Sequence, residues 1–317
     1  MRLIVPTEQS EAVQRVLADS PSVTNLVVLP AAARNPRGDL VICDVAREGA
    51  NPVLQALRSL GIDQAGAIAI EDGGVTLSAA ADRAEERVPG LGVDAVVWEE
   101  VEHTTGQETR LSATYLGLLI VATIIAAIGV LLDQPILIVG AMVVGPEFGP
   151  LAALSVGLFQ RRTPVIGRSL LALAIGFPVA IAVTVVATWA LTGLGLVDRS
   201  MLLADRPLTD FIWRPDALSW VVGFLAGVAG MISVTSARSG ALIGVLISVT
   251  TVPAAANAAV AIAYGVRAEA AGSALQLFIN LSAIVGAGVL TLAANRLWSW
   301  VRSGRSVPAE PDPATPA

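Results

Sequence analysis

From Pro135 to Phe159 the chain is apolar apart from one carboxylate, Glu147, near the middle of the run. About 25 helical residues at 1.5 Å each span the ~30 Å hydrocarbon layer of a bilayer. Glu147 is therefore expected near the midplane, where an ionisable group is costly unless it faces protein, water or a partner. Gly145-Pro146 before it and Gly149-Pro150 after it interrupt the helix, because proline frees a backbone carbonyl that lipid cannot satisfy. A segment of this kind has to be enclosed by other helices, and it is the one expected to carry function.

The composition agrees. The 317 residues are 54% hydrophobic and 15% charged, with a mean hydropathy of +0.71, which places the chain in the membrane class. A net charge of −6 offers no basic footprint for nucleic acid. Cys43 and His103 are the single cysteine and histidine, so internal disulfides, metal centres and cofactors are not expected. The sequence holds no phosphate-binding G-x-x-x-x-G-K-[ST] loop and no H-E-x-x-H. No base and no second acid is expected in the membrane beside Glu147, so no catalytic residue is assigned and an enzyme is not expected. The opening MRLIVPTEQS has no apolar core of a signal peptide, which puts the start of the chain in the cytoplasm.

Charges are dense up to Arg110 and sparse afterwards. Strand signals at 2–6, 23–30, 39–46 and 65–72 alternate with helical signals in EAVQRVLAD (11–19) and NPVLQALRSLG (51–61). The second helix has Asn51 as its cap, Pro52 in its first turn and Gly61 as its stop. The order βαββαβ predicts a small α+β, ferredoxin-like cytoplasmic domain over 1–81. Residues 82–111 read as a charged linker and interfacial helix, with Trp98 at the headgroups. The tail, 304–317, reads as disordered.

Six spans are predicted within 112–303, at about 112–132, 135–160, 164–196, 217–236, 239–264 and 271–300. Pro178 is expected to kink the third. With the N-terminus inside, Arg110, Arg161, Arg162, Arg168, Arg238, Arg296, Arg302 and Arg305 fall at inner ends, and Arg199, Arg206, Arg214 and Arg267 at outer loops. The excess predicts both termini in the cytoplasm of a bacterial inner membrane.

The stretch from Gly140 (GAMVVGPEFGPL) resembles that from Gly244 (GVLISVTTVPAA) at a shift of 104 residues. Each lies in the middle of three spans, and an odd number of spans per copy makes the two copies inverted. The expected architecture is an α-helical membrane protein with two inverted three-span repeats. Glu147 of the first copy would face Ser248, Thr250, Thr251 and Asn257 of the second along a substrate or ion path, with Asn280 nearby in the sixth span. Gly140, Gly145, Pro146, Gly149, Pro150 and Pro253 would shape the breaks. Asn280 and Gln276 also read simply as interhelical hydrogen-bonding groups. Gly223, Gly227 and Gly230 predict close helix packing, within a protomer or between protomers of a homo-oligomer.

Ile138-Val139-Gly140-Ala141-Met142, then Pro146, Gly149 and Pro150, resemble a motif of the membrane family filed as domain of unknown function 389. Gly244, Ile247 and Pro253 match a second motif, with Ala254 departing from it, and Leu277, Phe278, Asn280 and Leu281 match a third. The resemblance covers about 112–296 and extends to the small domain before it. It implies the fold and no activity, and Glu147-Phe148 stand where the family has Leu-Met. The function expected is a secondary transporter or channel for an ion or small polar solute, with the bilayer as its other partner. The alternative is a membrane-anchored sensor or scaffold without transport.

Overall fold

The computed structural model describes residues 1–71, 78–87, 111–214, 216–235 and 250–303. Trp98, His103, Arg238, Ser248 and the tail, all read from the sequence, lie outside them. Contacts divide the chain into two units, residues 1–101 with 296–317, and residues 102–295.

The first unit is built on strands β1 (Arg2–Val5), β2 (Val23–Arg34), β3 (Arg37–Val45) and β4 (Ala67–Ala69). They form one antiparallel sheet in the order β2-β3-β1-β4. Helices α1 (Ser10–Ala18) and α2 (Ala50–Ser59) lie between the strands in the predicted βαββαβ order, and a short turn of helix, α3 (Ile62–Ala65), follows α2. Val13 and Leu17 of α1 are one helical turn apart, as are Val53 and Leu57 of α2, so each helix presents one apolar stripe. These stripes meet Leu3, Val5, Val41 and Cys43, the alternate residues of β1 and β3, in one core. Gly61 ends α2 in the left-handed region (φ 72°), as its position in the sequence predicts.

Two boundaries differ from the sequence reading. Pro30 suggests a strand end, yet β2 continues to Arg34. A register shift between Leu29 and Ala33 takes up the proline, which needs no ladder hydrogen bond at a bulge. Residues Ala79–Arg87, assigned largely to a linker, form helix α4 and pack against β2 and β3.

The second unit is helical: α5 (Ala113–Leu131), α6 (Pro135–Val144), α7 (Phe148–Gln160), α8 (Thr163–Gly193), α9 (Arg199–Leu203), α10 (Ala217–Thr235), α11 (Thr251–Ala263) and α12 (Arg267–Ser303). Among the described residues, α5, α8, α10 and α12 through Trp298 are long and apolar enough to cross a membrane, and α6 with α7 makes a fifth if the bent pair is one span. The predicted six are not all seen: of the span at 239–264 only the 13-residue α11 is described. Pro178 lies inside α8. Ile136, Val186, Leu225 and Phe278 are exposed on these helices, an apolar surface suited to lipid. Gly223 and Gly227 of α10 lie directly against Asn280, Ala283, Ile284 and Ala287 of α12, so this glycine face packs within the chain.

One pH effect follows for the first unit. Asp39 is buried, and the Ser10 hydroxyl together with the Ala31 N–H, at 2.8 Å, holds its carboxyl below the ordinary carboxylate value. The unfolded chain therefore binds this proton more readily than the folded one. The contribution is present above the ordinary carboxylate pKa, about 3.9, and is lost as pH falls through the lowered native value. Asp39→Asn is expected to flatten the acid limb of the stability profile of this unit, followed by sheet circular dichroism of the full chain between pH 6 and 2.

Candidate functional site

The helix that begins at Pro135 stops at Val144, and the chain restarts as α7 with a bend of 54°. Gly145 leaves the helical region (ψ 127°), and Glu147 is the residue on which α7 begins. A side chain at Gly145 would collide with Glu147 Oε2 and with Val252 of α11, so only glycine lets this carboxyl lie against the break. Pro150 is the third residue of α7, where its missing N–H has no intrahelical partner to lose. The break is thus made by Gly145-Pro146; Gly149 and Pro150 already belong to the new helix. Gly140 lies inside α6 with open space beside it and takes no part in the break.

Helix α11 repeats this construction. Like α7 it has 13 residues, and like α7 it carries proline, Pro253, at its third position. The two helices run in opposite senses. The end of α7 turns through Arg161 and Arg162 into the start of α8. The end of α11 is held at the far end of α8, where Trp189 Nε1 donates to the Ala263 carbonyl at 3.0 Å and Thr192 and Tyr264 share a 2.8 Å hydroxyl contact. Helix α8, 31 residues long, separates these ends by about 46 Å. The N-termini of α7 and α11 therefore face each other between them.

They meet through side chains. Thr251 Oγ1, in the first residue of α11, donates to Glu147 Oε1 at 2.7 Å. Glu147 is 4% exposed, and its Oε2 is buried without a hydrogen-bond partner among the described residues. Two helix N-termini place partial positive charge at this carboxyl, which favours an anionic group there.

A second polar feature runs along α12. Glu269, Ser273, Gln276 and Asn280 recur at helical spacing on one face, and all four are buried. Asn280 Nδ2 donates to Thr250 Oγ1 at 2.7 Å, and its Oδ1 accepts from Gln276 Nε2 at 3.2 Å. Ser273 Oγ accepts from Asn257 Nδ2 of α11 at 2.7 Å. Asn257 Oδ1 accepts from Arg206 at 3.3 Å, and Arg206 forms a buried ion pair with Glu269. Thr209 Oγ1 holds the Arg206 segment to Asp133, in the turn between α5 and α6, at 2.8 Å.

The structure places Glu147, Thr250, Thr251, Asn257 and Asn280 in three bonded groups: Glu147 with Thr251, Thr250 with Asn280 and Gln276, and Asn257 with Ser273, Arg206 and Glu269; the first two meet at the adjacent Thr250 and Thr251. Ser248 lies outside the described residues. Arg206, Glu269 and Ser273 were missed: the first was counted as an outer-loop charge, and the other two went unnoticed. The signal for the α12 residues was the spacing of polar residues 269, 273, 276 and 280 within an otherwise apolar helix.

Residues 142–286, from the end of α6 to the middle of α12, match the family model described as Domain of unknown function (DUF389), and Glu147, Arg206, Thr250, Thr251, Asn257, Glu269, Ser273, Gln276 and Asn280 all lie within the match. Uncharacterized protein MJ0678 of Methanocaldococcus jannaschii is 27% identical over 211 residues, 65% of this chain. The match spans 63% of that relative's length, just under two thirds. No solved structure matches the chain.

Replacing Thr251 by valine removes the donor to Glu147 Oε1 and leaves both carboxyl oxygens buried without a partner. Unfolding of the purified protein in detergent is expected to be easier by about 1–3 kcal/mol, read as a lower melting temperature. Thr251→Ser, which keeps the hydroxyl, is expected to restore most of it.

Proposed function

We propose that this chain is a multi-pass inner-membrane transporter or channel for an ion or small polar solute, with its path passing between the broken helix α6–α7 and α11. What carries the reading is the meeting of two oppositely directed half-helices at the buried Glu147 carboxyl. Helices interrupted deep in a membrane are tolerated where they line a cavity or a substrate site, and in secondary transporters such ends come from inverted repeats. The element order supports that plan: a 13-residue helix with proline third stands between two long helices twice, as α7 between α5 and α8 and as α11 between α10 and α12.

In this reading the termini are cytoplasmic, and Glu147 takes up a cation or proton or orients a polar solute, with Thr250, Thr251, Asn257 and Asn280 lining the way. The βαββαβ order of the first unit supports a ferredoxin-like module with a regulatory role. That assignment rests on fold-level analogy alone.

The test is flux in proteoliposomes loaded with a pH dye and with Na⁺ or K⁺ indicators. The wild-type chain is expected to dissipate at least one of these gradients faster than empty vesicles. Glu147→Gln is expected to slow it at least tenfold and to abolish its pH dependence. Equal flux and an equal pH profile in wild type and variant would remove Glu147 from the mechanism. No flux above empty vesicles for any of these ions would favour the sensor or scaffold.

A further inference from the structure

The stripe Glu269–Ser273–Gln276–Asn280 spans twelve residues of α12, about 16 Å along its axis, or roughly half of the ~30 Å hydrocarbon layer. At its inner end Asn280 bonds to Thr250, whose neighbour Thr251 bonds to Glu147. At its other end stands the Arg206–Glu269 pair, in which the two residues are 5% and 4% exposed. Three buried polar atoms along this line have no hydrogen-bond partner among the described residues: Arg206 Nε, Gln276 Oε1 and Glu147 Oε2. Unsatisfied buried polar groups are rare in folded proteins and call for water, an ion or a ligand.

We propose that the Arg206–Glu269 ion pair gates this polar line at the end bearing residues 204–210, and that parting it admits water and a small polar solute or ion to Ser273, Gln276, Asn280 and finally Glu147. The inference rests on the transport reading and adds to it the side and the means of closure.

Three observations favour a gate over a plain structural staple. A buried ion pair is a poor device for stability alone, since apolar side chains of similar volume hold a core as well or better. The partners are also unequally fixed. Glu269 is in the first turn of α12, where the helix N-terminus favours its charge with or without Arg206. Arg206 sits on an irregular segment between α9 and a short 3-10 turn at Asp210–Ile212, with Asp205 and Asp210 within four residues of it. Asp205 lies next to it in the chain, and Asp210 already holds Arg214 at 2.9 Å, so carboxylates on this segment do bind guanidinium groups. Finally, Arg206 Nε and Gln276 Oε1 are buried with no protein partner among the described residues, so a polar species entering the line meets a donor and an acceptor already in place.

The experiment is thiol accessibility in the full chain, reconstituted in vesicles, with Ser273→Cys as the reporter. Cys43 stays in place, because it is buried in the sheet core and burial pushes its thiol pKa up, which makes it slow to react. A membrane-impermeant methanethiosulfonate is applied from one side at a time. The reporter is expected to label slowly when the pair is intact. With Arg206→Gln or Glu269→Gln it should label at least about tenfold faster, and only from the side carrying 204–210. The doubly exchanged Arg206→Glu, Glu269→Arg chain should return towards the slow rate.

If the neutral variants prove unstable, Arg206→Lys keeps the charge but loses the planar fork that reaches both Asn257 and Glu269. It is expected to give an intermediate rate. An unchanged rate in all folded variants, or faster labelling from the opposite side, overturns the gate. A gate failure with Glu147→Gln still blocking flux leaves the path standing. Unchanged flux in Glu147→Gln removes the path whatever the labelling shows.

Discussion

A helix that begins inside an apolar unit presents backbone N–H groups that lipid cannot satisfy. Two helices of this chain, α7 and α11, begin in that way, and much of the helical unit can be understood as the answer. Their starts face one another, so the exposed ends share one enclosed region. Pro150 and Pro253 occupy positions where no intrahelical N–H is needed. Gly145 brings the backbone close enough for the Glu147 carboxyl to lie against it, and Thr251 completes the junction from the other side. Helices α5 and α8 pack on α11, and α8 packs on α7, which encloses the break.

The same geometry gives meaning to polar residues that look scattered along the chain. Glu269, Ser273, Gln276 and Asn280 are spaced over twelve residues, yet they form one face because the helix returns every 3.6 residues. Arg206 reaches that face from an irregular segment anchored at Asp133. Carboxyl groups are thereby placed in two buried spots of different character. At Glu147 a single carboxyl lies at two helix N-termini. At Glu269 a carboxylate is neutralised by a guanidinium. The sheet unit has a separate core, from Leu3 to Ile62, and needs none of these contacts to hold its strands.

Much of this was legible before any coordinates. Alternation and helical spacing located the strands and helices of the sheet unit, and Gly145-Pro146 marked the break because both residues act on the backbone itself. What failed did so for identifiable reasons. Pro30 looked like a strand end because a bulge cannot be foreseen from one strand alone. Gly140 looked like part of the break because glycine in an apolar run signals either a distortion or an open surface. Arg206 reads from the sequence as an outer-loop charge, and Glu269 draws no notice, because hydropathy treats a charge near the end of a span as solvated.

The amino-acid order by itself determined the apolar lengths, the place of the interruption and the position of Glu147 within it, since those depend on residues adjacent in the chain. Which residue would answer Glu147, and that Arg206 would be drawn inward onto Glu269, was decided by tertiary structure alone. Thr251 is 104 residues from Glu147 and Glu269 is 63 from Arg206. Pairings across such separations are settled by how helices pack and by the cost of leaving polar groups buried without partners.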